Sequence, residues 1–291
     1  VSPRSRVPGD ADAPQAPEPL AGTVIDSHTH LDVHDTDLHG EMLPDADAIL
    51  EAAAQVGVTR VVQIGCDVDS ARKSVEFART RPSVVAGVAL HPNEPPRIVE
   101  RDGRAALDQA WAAIAELAGD PVVRAVGETG LDYFRTGDDG RAVQQESFRW
   151  HIRLAKQVDK TLVIHDRDSH DDVLRILDDE GAPERVVFHC FSGDAAMARH
   201  CAERGWFMSF AGVVTYKNND SLREALRVVP DDLVLVETDA PYLTPVPHRG
   251  KPNASWLMPF TVRGMASERG VSELDMCTQL TANTLRAFGD W

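Results

Sequence analysis

Thr23-Val24-Ile25-Asp26-Ser27-His28-Thr29-His30-Leu31-Asp32 is the stretch on which the reading of this chain turns. It opens as a short apolar strand and runs into two histidines, His28 and His30, two positions apart. Side chains two apart on a strand point to the same face, so both imidazoles can approach one ion. Two nitrogens are half a metal site. The other half has to come from elsewhere in the chain, and the sequence offers Glu128, His165, His189 and Asp239.

Working outward, Val- and Ile-rich runs at 23–27, 60–65, 84–90, 122–127, 161–164, 185–188, 206–210 and 233–237 read as strands. Between them lie Ala-, Leu- and charge-rich runs of helical character near 45–56, 69–80, 104–118, 141–158, 169–180, 194–204, 219–228 and 255–269, and a last helix near 272–287 closes the chain. Eight strands with intervening helices predict an α/β fold, a closed (β/α)8 TIM barrel of one domain over residues 22–291. An open doubly wound sheet also carries many strands, but its usual glycine-rich turn after the first strand is absent, and histidines stand there instead. Residues 1–21 contain Pro3, Pro8, Pro14, Pro17 and Pro19 and are expected to form a disordered leader.

Composition excludes several function classes. Lys and Arg number 30 against 46 Asp and Glu, a formal charge of −16, which argues against a non-catalytic protein that grips DNA through basic groups and counterion release. It does not exclude a nucleic-acid enzyme, because bound metal ions reverse the local field. Cys66, Cys190, Cys201 and Cys277 lack paired metal-binding spacing and read as reduced thiols of a cytoplasmic protein. No run approaches the roughly 18 apolar residues of a membrane span, and no apolar core near residue 1 suggests a secretion signal. No hydrophobic stripe demands a partner, so a monomer is expected.

In a barrel, the C-terminal ends of all strands meet on the face that carries the active site. Four further strands finish in Gly127-Glu128-Thr129-Gly130-Leu131-Asp132-Tyr133, His165-Asp166-Arg167, His189-Cys190-Phe191-Ser192-Gly193 and Glu237-Thr238-Asp239-Ala240-Pro241-Tyr242-Leu243. Singly, each candidate has an ordinary structural reading. A strand-end histidine is usually just hydrogen-bonded, Glu128 can cap a helix or pair with Arg124 or Arg135, and Asp239 can cap a turn before Pro241. Together they would crowd four imidazoles and two carboxylates at one rim, which is costly without a cation.

Six mixed nitrogen and oxygen ligands suit two divalent ions. His28, His30 and Asp239 are assigned to the first, His165 and His189 to the second, with Glu128 bridging. Nitrogen-rich ligation favours Zn²⁺, Mn²⁺ or Fe²⁺; Mg²⁺ prefers oxygen and retained water but enters by abundance. Paired ions about 3.5–4 Å apart clamp the attacking and departing oxygens of an ester, and Asp239 is placed to accept the proton of the attacking water. Asp239 and Glu128 are therefore the catalytic candidates.

Weaker candidates surround them. His91 ends the third strand and is a possible substrate contact. Arg167, Lys217, His248, Arg249 and Lys251 offer positive charge to a phosphate, and Tyr133, Phe134, Tyr216 and Tyr242 offer stacking surfaces. Asp26 is expected to orient a ligand histidine, and Asp32 shares its alternation. Gly127 and Gly130 let the chain turn close to the metals, and the N–H groups after Ser192-Gly193 can receive an anion. His34, His39, His151, His170 and His200 read as surface or helix residues.

With these residues on the page, the chain resembles the TatD family of metal-dependent deoxyribonucleases, within the amidohydrolase-like barrels. The matching stretches are Asp26 to Asp32, Gly127 to Tyr133, His165 with Arg167, His189 to Gly193 and Glu237 to Leu243, in that order, and the resemblance runs from about residue 23 to the end. It implies a TIM-type barrel with a divalent-metal site at His28, His30, Glu128, His165, His189 and Asp239. It also implies hydrolysis of DNA, often from the 3′ end of single strands, with Mg²⁺ in common use, and roles in DNA repair or DNA breakdown. One departure stands out. Where the family continues Arg-Gly-Lys with Arg-Asn-Glu-Pro, this chain has Arg249-Gly250-Lys251-Pro252-Asn253-Ala254-Ser255, which bears on substrate grip and not on the metal set. The closest alternative is a hydrolase of a small phosphoester, lactone, amide or aminoacyl ester on the same barrel and the same ions.

Overall fold

A computed structural model describes residues 14–32 and 45–291. Its sheet has eight strands in chain order, all parallel: β1 (Val24–Thr29), β2 (Val58–Gly65), β3 (Val84–Val88), β4 (Val123–Asp132), β5 (Thr161–Arg167), β6 (Val186–Phe188), β7 (Phe207–Phe210) and β8 (Val234–Val236). The sheet closes on itself just past β8, where Thr29 and Ala240 form a parallel bridge. Asp239 N–H donates to His28 O and His30 N–H to Ala240 O, both at 2.9 Å. The fold is the expected (β/α)8 barrel.

Ten α-helices stand among the described residues: α1 (Ala46–Gln55), α2 (Val68–Arg79), α3 (Glu94–Asp102), α4 (Arg104–Ala118), α5 (Asp138–Val158), α6 (His170–Glu180), α7 (Ala195–Glu203), α8 (Asp220–Val228), α9 (Met258–Arg269) and α10 (Glu273–Phe288). Their starts follow from local chemistry. The side chains of Asp45, Asp67, Asp194 and Ser272 accept first-turn N–H groups of α1, α2, α7 and α10. Strands flanked by helices on the outside and packed side chains on the inside are apolar on both faces, hence the buried Val-Val and Ile runs of β2, β3, β5 and β6.

Three features depart from the sequence reading. Helix α3 is missing from the sequence reading; its Pro95 and Pro96 occupy the first turn, where a missing N–H costs nothing. Strand β4 was expected to stop at 127 but continues to Asp132, pairing Gly130 with His165 and Asp132 with Arg167 on β5. Glu128 therefore lies within a strand and is held from both ends. Gly130 has φ +135°, and a Cβ there would fall on the His165 carbonyl oxygen. Its job is the close approach of β4 to β5.

The leader expected over 1–21 lies outside the described residues to position 13, but residues 14–21 are docked on the barrel. Trp256 Nε1 donates to Pro14 O at 3.1 Å, Arg263 Nη2 donates to Glu18 O and Pro19 O, and Glu273 accepts from Ala21 N–H at 2.7 Å. Prolines lack donors, but their segment keeps carbonyls, and the last helices supply the donors.

Candidate metal centre

The six ligand candidates converge at the C-terminal ends of the strands. His28 and His30 come from the end of β1, Glu128 from β4, His165 from β5, His189 from just after β6 and Asp239 from just after β8. Glu128 stands between them, and its two carboxylate oxygens face opposite ways. Oε2 lies 3.1 Å from His28 Nε2 and 3.7 Å from His30 Nε2. Oε1 lies 2.8 Å from His165 Nδ1 and 3.3 Å from His189 Nε2. Asp239 Oδ1 joins the first group, 3.4 Å from His30 Nε2 and 3.8 Å from His28 Nε2. His165 Nδ1 and His189 Nε2 are 3.3 Å apart.

These separations test whether the donors fit divalent ions. Donor atoms bound tetrahedrally at about 2.0–2.1 Å stand about 3.3–3.4 Å from one another, the scale found in both groups. The donor set is imidazole and carboxylate, the chemistry that binds first-row divalent ions. The residues fit the group.

The distal nitrogens explain why the ring edges face inward. His30 Nδ1 donates to Ile64 O at 3.0 Å, so its Nε2 carries the lone pair. His189 Nδ1 donates to Glu237 Oε1 at 3.2 Å. His165 Nε2 is buried without a hydrogen-bond partner, 3.5 Å from Asp132 Oδ2, whose carboxylate accepts from Asn93 Nδ2 and Arg135 N–H. The partners of His30 and His189 fix tautomer and ring orientation. The backbone cooperates at Asp239, whose φ of +52° is left-handed; its carbonyl accepts Tyr242 N–H at 2.8 Å and anchors that turn.

Electrostatics follow from the packing. Burial alone would raise the Glu128 carboxyl, but the charges of His189 and His91 and hydrogen bonds from His165 and His189 hold it well below the ordinary range. Burial likewise pulls the His189 imidazole down, yet the facing Glu128 and Glu237 carboxylates hold it well above. Asp239 is held low, against burial, by His30, His189 and His28. The carboxylates are thus ionised, and the cluster holds positive charge against them. Burial and the Glu128 charge push the nearby Cys66 thiol up to about 12.

A family model described as TatD related DNase matches residues 25–289. The metal-dependent hydrolase TatD of Mycobacterium tuberculosis is 44% identical over 275 residues, covering 91% of this chain and 98% of that protein. The chain belongs to the TatD family. Another TatD relative, the metal-dependent hydrolase YabD of Bacillus subtilis, is 34% identical over 91% of this chain and 98% of its own length. The crystal structure of YJJV, a TatD homolog from Escherichia coli, superposes with a TM-score of 0.80 at 26% identity, covering 91% of this chain and 97% of that one. This chain is a metal-dependent hydrolase of the TatD family.

Around the TatD ligand set, the weaker candidates divide. His91 Nε2 lies 3.3 Å from Glu128 Oε1, and Asn93 N–H donates to its Nδ1. His91 is thereby the Nε2–H tautomer, a donor aimed into the site. The Arg167 guanidinium lies 4.0 Å from the centre of the exposed Phe134 ring, and that of Arg249 4.4 Å from the Tyr216 ring. Tyr242 is partly exposed, with its ring edge-on to His30. Lys217 and Lys251 are exposed. Tyr133 is committed elsewhere: its hydroxyl donates to Asp172 at 2.7 Å and Arg141 covers its ring.

Asp26 does not hold a histidine ring. Fully buried and raised to about 7 by that burial, it accepts from Thr238 N–H, Thr238 Oγ1 and Ser255 Oγ, clamping the chain ends of the seam together. Asp32 accepts from Gln63 Nε2. The N–H groups expected to receive an anion beyond Gly193 are already capped by Asp194. His151, expected at the surface or in a helix, is a helix residue: buried in α5, it accepts Leu90 N–H at 3.1 Å and donates to Ser147 O at 2.8 Å, pinning the strand end that carries His91. His34 and His39 lie outside the described residues. The sequence reading also passed over Glu237 and Asp132. Both stood in the quoted motifs, Glu237 two positions before Asp239.

Proposed function

We propose that this protein hydrolyses phosphodiester bonds of DNA, working from the 3′ end of single strands, with two divalent ions. The observation that carries the reading is the bridging placement of Glu128, with one carboxylate oxygen toward His28 and His30 and the other toward His165 and His189. The residues that would hold the ions are His28, His30 and Asp239 on one side and His165 and His189 on the other, with Glu128 common to both. The ions, Mg²⁺ or Mn²⁺ for turnover and Zn²⁺ or Fe²⁺ as alternatives by donor softness, supply Lewis-acid activation of water and neutralisation of phosphoryl charge when bound.

The chain's own groups do the rest. Asp239, ionised and more open than Glu128 at 15% against 5% side-chain exposure, accepts the proton of the attacking water. His91 donates Nε2–H to a phosphoryl oxygen, its tautomer set by Asn93 N–H. Arg167 on Phe134 and Arg249 on Tyr216 present cation and ring together, which suits unpaired bases joined by phosphates. The same reading has the protein act as a monomer in the cytoplasm, consistent with its free cysteines and with described helices that are all too short or too polar to cross a membrane.

The test is a 5′-labelled single-stranded oligonucleotide with metal-stripped protein resupplied with Mg²⁺, Mn²⁺ or Zn²⁺, beside Asp239→Asn. A ladder shortening from the 3′ end and abolished by the substitution is the expected result. An intact oligonucleotide from folded, metal-loaded protein overturns it in favour of a small-ester, lactone or amide substrate on the same site.

A further inference from the structure

Glu237 has no part in the ligand set, yet it is completely buried directly behind it. Its Oε1 accepts Cys190 N–H at 2.8 Å and His189 Nδ1–H at 3.2 Å. Its Oε2 is buried without a hydrogen-bond partner, and so is His28 Nδ1. A buried carboxylate oxygen and a buried imidazole nitrogen each left unpaired are costly, and here the two residues are neighbours: ligand atoms of His28, His189 and Glu237 all lie within 4.8 Å of one another.

The ring geometry explains why one carboxylate can serve two histidines. His28 and His189 stack with centroids 3.9 Å apart and planes 14° from parallel. Their Nε2 atoms both point at Glu128, at 3.1 and 3.3 Å. Glu237 meets the Nδ1 edge of one of these stacked rings, His189, and lies beside the other, His28, whose Nδ1 is buried and unpaired.

We infer that Glu237 is a shared positioning residue: it holds both His28 and His189 as Nδ1–H tautomers, so that each offers its Nε2 lone pair to a different ion. The inference rests on the two-ion reading of the site. It makes Glu237 a coupling element between the two metal positions, behind the ligands as Glu128 is between them. Second-row carboxylates of this kind change metal affinity by roughly 10–100-fold when lost.

Two variants separate the roles. In Glu237→Ala both rings lose their acceptor. In Glu237→Gln the amide oxygen can still serve Cys190 N–H and His189 Nδ1–H, but the amide NH₂ then faces His28 Nδ1 and favours the wrong tautomer there. Metal-stripped wild type and both variants are titrated with Zn²⁺ by calorimetry, and ¹⁵N-histidine spectra of zinc-loaded wild type are recorded. The expected results are two zinc sites in wild type, both weakened by roughly 10–100-fold in Glu237→Ala, and one weakened more than the other in Glu237→Gln. His28 and His189 should both read as Nδ1–H in the wild-type spectra, a readout that stands even if the variants fold poorly. Two wild-type sites with unchanged affinities in folded variants, loss at one site only in Glu237→Ala, or an Nε2–H signal for His28 overturns the inference while leaving the two-ion site intact. A folded wild type that takes up no zinc overturns both.

Discussion

His28 from the end of β1 and His189 from just after β6 stack their imidazoles at 3.9 Å, with Glu128 spanning their inner edges. Burial and the facing His189 charge hold the His28 imidazole below its ordinary value. Glu128 is the counter-charge common to this pair. Glu128→Gln keeps the shape and removes the charge, so both positions should lose metal together. Elemental analysis should show the metal content falling for both ions, and hydrolysis should drop by about 100-fold or more, the scale of a several-kcal/mol charge term. Retention of full metal content in Glu128→Gln would mean the two positions are independent.

His151 predicts a pH dependence of stability that has nothing to do with the ions. It is buried and neutral, donating to Ser147 O and accepting Leu90 N–H, and burial lowers it to about 4 from 6.5. Between those values the unfolded chain binds the proton and the folded one does not. This contribution is therefore complete above about pH 6.5 and is lost as pH falls toward 4. Across that window the stability difference between wild type and His151→Gln should change by about 3 kcal/mol. Denaturant titrations at pH 4.5, 5.5 and 6.5 measure it, and a difference that stays level across them would show His151 charged in the fold.

What the sequence made legible follows from how barrels are built. His28, His30, Glu128, His165, His189 and Asp239 could be found because parallel strands bring their ends to one face and ligands recur there in short motifs. Glu237 and Asp132 were visible in the same motifs but not assignable, because a sequence shows a carboxylate without showing which ring its oxygens face. Residues 14–21 misled for a similar reason: proline announces a missing donor, and only the fold shows that Trp256 and Arg263 use the segment's carbonyls.

Asp26 predicts where the barrel is most easily opened. Four donors, Thr238 N–H, Thr238 Oγ1, Ser255 Oγ and His28 N–H, end on its carboxylate inside the seam between β1 and β8. Asp26→Ala strands all four, at about 3 kcal/mol or more in total, or a Tm lower by roughly 5–10 °C. Asp26→Asn should lose much less, since its oxygen still meets Thr238 N–H and the two hydroxyls can rotate to accept. Thermal unfolding of both variants checks the order, and equal losses would show that the charge rather than the hydrogen bonds holds the seam.

The rim predicts how substrate is gripped. Phe134 is 64% exposed, far more than a ring with a packing role, and Arg167 from the end of β5 lies over it at 4.0 Å. Arg249 over Tyr216 repeats the arrangement beside β7 and β8, but there the Tyr216 hydroxyl is tied to Thr244 O at 3.0 Å. The first pair is therefore the free stacking face and the second the more fixed one. Phe134→Ala should raise KM for a single-stranded oligonucleotide by about 5- to 150-fold, the range of one lost base–aromatic stack, with kcat little changed. Arg167→Ala should raise KM and also flatten its dependence on salt, because that side chain adds a phosphate contact. Steady-state kinetics at two ionic strengths with oligonucleotide and with a small phosphodiester separate these effects. Both substitutions should leave the small substrate's KM unchanged, and an equal rise for both substrates would place Phe134 and Arg167 in the metal site's architecture rather than on the path of the strand.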